Sequence, residues 1–250
     1  MMSEQAMYVV VAAVMAIVTL QFVVPVMNVS ERKRKYYLPV VGIPAMMAVG
    51  FGLMSQGLLL PEFGGTTMPA ARLVVYEIMF PLMAVYIGLA GGLGRRRTAI
   101  VAGSMFLVVF GVVLNWAPDP LTSVGNLLTL VALLVAAYLL LGPYDKVARE
   151  QSGELKLLYG KLRNLVLLMW VLYIIVGMST RSGLGLLDVF SGIFIASYLD
   201  LVTTVTFGAI IVRADEAMTQ LVDEHSGEPP EEPPGEQPEQ TEPAIAGAGD

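Results

Sequence analysis

Apolar residues run along this chain in seven blocks. Each is about as long as the roughly 20 residues that a helix needs to cross about 30 Å of hydrocarbon. They cover approximately residues 5–27, 37–60, 70–91, 98–116, 122–142, 161–180 and 185–212. The separators are short and rich in charge, Gly or Pro: 31–35, 61–65, 94–97, 117–120, the longer 144–160, and 179–183. The pattern predicts an all-α membrane protein, a seven-transmembrane-helix bundle over residues 1–213. The first block differs from a secretory leader, because Glu4 precedes it and its basic cluster follows it.

Past Arg213 the pattern stops. Residues 214–250 are rich in Pro and Glu, with almost no large apolar residue after Val222. Such a segment buries too little surface to offset its ordering entropy, so an acidic, disordered cytoplasmic tail is expected. It reads either as a solubilising tail or as an interaction tail for a basic partner.

Composition agrees with a membrane protein: 56% of the 250 residues are hydrophobic and 14% charged. Mean hydropathy is +0.69. The net charge of −6 hides two regions, +5 through Arg213 and −11 after it. Thirteen of the fifteen basic residues fall in separators that share one side of the bundle: Arg32, Lys33, Arg34, Lys35, Arg95, Arg96, Arg97, Lys146, Arg149, Lys156, Lys161, Arg163 and Arg213. Basic residues stay cytoplasmic during insertion, which predicts the N-terminus outside and the C-terminus cytoplasmic in the cell membrane. These clusters read as loop anchors, so no nucleic-acid partner is expected. With no cysteine, disulfides, thiolate metal sites and Cys catalysis are excluded, and with one histidine (His225), in the tail, a His-based mechanism is not expected. No Walker loop, dinucleotide fingerprint, metalloprotease helix or serine elbow is present, and no metal site or enzymatic activity is expected.

Ionisable groups inside the apolar blocks are costly and mark sites. Arg72 and Glu77 lie in the third block, Asp188 and Asp200 in the seventh. At about 100° per residue, Arg72, Val75, Tyr76, Met79 and Leu82 share a face and Glu77 lies off it. Glu77 reads as a protonated carboxyl bonded to a neighbouring helix or subunit, or as a proton relay. Asp200, Thr204 and Phe207 stack on one face of the seventh block, and Trp170, Tyr173 and Gly177 on one face of the sixth. These faces read as bundle-facing packing or as the wall of a pocket for a flat apolar ligand. Pro44 and Pro81 fall inside the second and third blocks, where proline removes a backbone hydrogen bond. Gly88, Gly91 and Gly92 read as close helix packing rather than phosphate binding.

In this order, these residues resemble the microbial (type 1) rhodopsins of the bacteriorhodopsin kind. The resemblance spans about residues 8–213 and rests on Ala71-Arg72 with Pro81, Leu162-Arg163-Asn164 with Trp170 and Tyr173, Leu199-Asp200 with Phe207-Gly208, and Pro44. It implies that Asp200 corresponds to a Schiff-base counterion and that the chromophore lysine belongs at Thr204. All five lysines lie in loops or at block ends, so covalent attachment of retinal is not expected. Val75 and Tyr86 replace the pump carboxylates, Met79 a threonine, and Tyr76 and Gly177 two pocket tryptophans. What remains is an expected Arg72/Asp200 pair, and a vacated pocket lined by Trp170, Tyr173, Tyr76, Met79, Phe51, Gly177 and Thr204.

A lysine-less, opsin-related protein of haloarchaeal type is therefore expected. It would act by regulatory contacts with other membrane proteins or enzymes, in retinal or carotenoid metabolism or in signalling. The alternative is a sensor binding retinal or another polyene noncovalently; a light-driven pump or photoreceptor of the ordinary kind fits less well. Homo-oligomerisation is implied by the resemblance alone.

Overall fold

Long runs of Leu, Val, Ala and Met in a hydrocarbon environment leave the backbone one economical option, in which every N–H and C=O is bonded within its own segment. The computed structural model describes residues 3–63, 66–180 and 184–226. Its spans are α1 (Glu4–Met27), α2 (Glu31–Ser55), α3 (Ala70–Ala90), α4 (Gly94–Leu114), α5 (Leu121–Leu141), α7 (Gly153–Ser179) and α8 (Val189–Arg213), with a short α6 (Pro143–Ala148) and a terminal α9 (Asp215–Ser226). Seven of these helical segments are long and apolar enough to cross a membrane. A two-stranded antiparallel hairpin, β1 (Glu62–Phe63) and β2 (Thr66–Thr67), joins α2 to α3.

Helix ends depart from the apolar blocks where polar helix formers carry the helix into water. Thus α2 begins at Glu31 and α7 at Gly153, well before the apolar runs at 37 and 161. The second block, by contrast, stops short. Gly57 takes φ +75°, with Gly57 N–H bonding Met54 O and Leu58 N–H bonding Leu53 O, which ends α2 at Ser55 rather than residue 60. At the start of α8 the Asp188 carboxylate accepts the Ser191 N–H at 2.7 Å.

The thirteen basic residues gather at one end, called here the basic face. There Asp145 binds both Arg149 (2.7 Å) and Arg163, tying α6 to α7, while Tyr159 OH donates to Leu140 O at 2.7 Å. Arg181 lies outside the described residues.

The expectation of a disordered segment from residue 214 is corrected over Asp215–Ser226, which form α9. α9 lays Ala217, Met218, Leu221 and Val222, all buried, across the ends of α2, α3, α7 and α8. Lys33 Nζ meets Asp215 Oδ1 at 3.2 Å and Ser152 OH donates to Gln220 at 2.6 Å. The spacing of those four apolar residues forms one stripe on a helix, enough to bury against the bundle despite the acidic surroundings. Residues 227–250 lie outside the described residues. Ending the chain at Arg213 is expected to lower the melting temperature in lipid nanodiscs, whereas ending it at Ser226 is expected to leave it unchanged. Equal melting of both truncations would show that α9 adds nothing to the bundle.

Glycine sets the closest helix contacts. A Cβ on Gly111 of α4 would lie 2.7 Å from Gly125 O of α5, and one on Gly125 2.6 Å from Gly111 O. Backbone cannot yield as a flexible side chain would. Gly111→Ala is therefore expected to cost about 1–3 kcal/mol by overpacking. Gly103→Ala, where a Cβ meets nothing within 4 Å, is the matched control. Similar thermal stability for the two variants would refute the packing account. Gly88 approaches the Thr98 side chain and Gly91 approaches Tyr159, consistent with packing at the α3 terminus.

Candidate functional site: a closed charge centre in the bundle

α3 is the most buried span, and it carries Arg72, Tyr76 and Phe80 at intervals of four residues, so all three point inward on one stripe. Facing them, α8 presents Asp200, which is fully buried. Arg72 Nε lies 2.9 Å from Asp200 Oδ2 and also donates to Tyr76 OH at 2.7 Å. Tyr76 OH donates in turn to Asp200 Oδ1, as does Tyr173 OH from α7 at 2.7 Å. One carboxylate thus holds a guanidinium on one oxygen and two phenols on the other. The charge is balanced without any further cation, while Oδ2 has the guanidinium contact alone and no hydrogen-bond donor among the described residues.

Next to this centre the rings close up. Phe80 lies 4.7 Å from Trp170, 5.5 Å from Tyr76 and 6.1 Å from Tyr173 between ring centroids. Trp170 and Tyr173 are 6.1 Å apart, and Tyr76 and Tyr173 5.6 Å. Met79, Phe80 and Met83 have no exposed surface. Phe80 is one residue that the sequence does not single out, since a spacing of four from Tyr76 inside an apolar run does not by itself tell core from lipid. Tyr8 of α1 is a second, with its ring 6.0 Å from Phe51.

The seven pocket positions are not all brought together. Trp170, Tyr173, Tyr76, Met79 and Thr204 belong to the interior, and Phe51, also buried, packs against Tyr8. Gly177 is corrected: it is exposed, and a Cβ there would meet nothing within 4 Å. Past Trp170 the α7 residues are at most partly buried against the core, and Gly177 lies on the side that faces away from it, so it walls no pocket. Thr204 Oγ1 and Trp170 Nε1 are buried without a hydrogen-bond partner among the described residues. None of the seven lines either of two grooves on the outside of the bundle, one between α2 and α3 and the other between α1 and α8. Tyr86 donates to Tyr36 O and packs edge-on against Phe207 at 5.5 Å. Glu77 stands apart, with Oε2 buried and no partner among the described residues.

A bundle of seven spans around a buried arginine–carboxylate centre defines a multi-pass protein of the plasma membrane. The chain matches the family model described as "Bacteriorhodopsin-like protein" over residues 2–218. It is 31% identical to sensory rhodopsin-2 of Natronomonas pharaonis over 205 residues, which is 80% of this chain and 84% of that one. It is 27% identical to a bacteriorhodopsin of Haloterrigena sp. (strain arg-4) over 215 residues, 83% and 86% of the two. Among solved structures, a cyanorhodopsin from Calothrix sp. NIES-2098 superposes with TM-score 0.79 at 23% identity, covering 88% of this chain and 99% of that one. The thermophilic rhodopsin of Rubrobacter xylanophilus gives TM-score 0.79 at 19% identity, covering 88% and 99%. The chain belongs to the bacteriorhodopsin-like family of microbial rhodopsins.

Proposed function

We propose that this chain is an opsin-related membrane protein that forms no retinal Schiff base, pumps no protons, and acts through contacts with other membrane proteins or enzymes. Retinal, where a family member carries it on a lysine, supplies the absorption of visible light. The residues here do not fit that attachment. Thr204 stands one turn from Asp200 with a hydroxyl instead of an amine, and the five lysines are at the basic face. The observation that carries the reading is that Asp200 is already paired with the Arg72 guanidinium and accepts hydrogen bonds from the Tyr76 and Tyr173 phenols. A counterion so engaged has no need of a Schiff-base cation.

The names of its relatives, sensory rhodopsin-2 among them, favour signalling as the context, with retinal or carotenoid metabolism as the second. By the basic-residue bias the N-terminus lies outside and α9 in the cytoplasm, where its exposed acidic face offers a surface to a partner. A second reading, a noncovalent retinal or polyene sensor, draws support from the unpartnered Thr204 and Trp170 polar atoms. Against it, Phe80 and Met79 fill the space beside Trp170.

The test is an absorption spectrum of the purified protein with and without all-trans retinal, followed by borohydride reduction and intact mass. No visible band and no added mass are expected. A shifted band without added mass would move the conclusion to the noncovalent sensor, and a retinyl adduct on any lysine would overturn both readings.

A further inference from the structure

α9 lies across one end of the bundle, and its attachment has the parts of a lid. A single residue joins it to α8: Ala214 takes φ −99° and ψ 44°, off the helical region, so two dihedrals set where α9 points. The next backbone bond, Met218 N–H to Ala214 O at 2.8 Å, already belongs to α9. A helix of 12 residues is marginal in isolation, so α9 keeps its place by what it packs against. Its apolar pad is Ala217, Met218, Leu221 and Val222. Its polar catches are on different helices. Asp215 meets Lys33 Nζ at 3.2 Å and accepts from the Tyr37 hydroxyl at 3.4 Å, both on α2, while Gln220 accepts from Ser152 at 2.6 Å, at the N-cap of α7.

At the same end of the bundle are two phenols with no role in the charge centre. Tyr37 and Tyr86 are 1% and 5% exposed, and Tyr86 OH donates to Tyr36 O. From this we infer that α9 is a hinged lid. Docked, it closes the basic end of the bundle to water; swung away about Ala214, it opens a mouth between α2, α3, α7 and α8, the four helices that it touches, down to the Tyr37 and Tyr86 phenols. Phenol hydroxyls offer water a hydrogen bond, whereas the pad of α9 offers it none. The closed lid also serves the charge centre, because attraction between Arg72 and Asp200 weakens as water with its high dielectric constant approaches.

The absence of native cysteine makes the test direct. Single cysteines report water access by their reaction with a charged, membrane-impermeant maleimide in nanodiscs, where both faces are reachable. Val40→Cys places a thiol on α2 about 4.5 Å deeper than Tyr37, at a position 1% exposed. Arg96→Cys, on the open basic face, is the accessible reference, and Val109→Cys, buried about 22 Å along α4, is the closed one. In the full chain Val40→Cys is expected to react far more slowly than Arg96→Cys. Combining Met218→Asp with Leu221→Asp puts two carboxylates into the apolar pad and is expected to speed that reaction about tenfold or more, as is ending the chain at Arg213, with Val109→Cys still unreactive. Reaction of Val40→Cys at the rate of Arg96→Cys in the full chain would mean that α9 covers no mouth. An unchanged rate after both changes to α9 would place the seal deeper, at Tyr86 and Phe207. Reaction at Val109→Cys as well would make α9 a general stabiliser of the bundle. Each of these three results would overturn the lid.

Discussion

Asp200→Ala is expected to destabilise the bundle by about 3–5 kcal/mol, since it strands the buried Arg72 guanidinium. The cost does not measure the strength of the ion pair. It measures the desolvation of a cation that no longer has a counter-charge in a place water does not reach. Arg72→Gln strands Asp200 in the same way, although the phenols of Tyr76 and Tyr173 still donate to it. The informative variant is the double one. Arg72→Gln is expected to cost much less in an Asp200→Asn background than alone, because the second substitution removes the charge that the first would leave unpaired. Chemical denaturation in mixed micelles, followed by circular dichroism, supplies the four stabilities of the cycle. Additive effects would mean that the two residues are held independently, and the compensated-centre account would fail.

Phe80→Ala is expected to cost a similar amount, about 3–5 kcal/mol, by opening a cavity among Trp170, Tyr76 and Tyr173. This variant also tests why the interior holds no polyene. If Phe80 fills the space, its removal should allow added all-trans retinal to quench Trp170 fluorescence in the variant and not in the wild type. The chain has only two tryptophans, so Trp116→Phe isolates the signal. Quenching in neither protein would mean that the shape of the pocket, and not its filling, excludes the ligand. Quenching in both would favour the sensor reading.

The seven spans were legible because hydrocarbon admits so few backbone solutions, and apolar length alone marks them. Arg72 and Asp200 could be singled out because charge inside such a span is rare. Their shell was not legible from local spacing: Tyr76 and Tyr173 belong to different helices, and nothing in either segment reports that both hydroxyls converge on one oxygen. Phe80 escaped notice for a simpler reason, that a phenylalanine in an apolar run looks the same whether it faces lipid or core. Gly177 was placed on an inward face by extending the Trp170–Tyr173 stripe one further turn, but at that turn the position is exposed and a Cβ there would meet nothing within 4 Å. α9 was hidden by averaging, because four apolar residues in a helical stripe are diluted by the acidic composition around them. In each case the missing information was tertiary.

The way α9 is held has a consequence for ionic strength. At 1 M salt the screening length falls to about 3 Å, so attraction between the acidic C-terminal residues and the basic face is lost beyond direct contact. The burial of Met218 and Leu221 is not screened, and excluded salts strengthen apolar burial. α9 is therefore expected to keep its place on the bundle in dilute buffer and in brine alike, anchored by carbon rather than by charge.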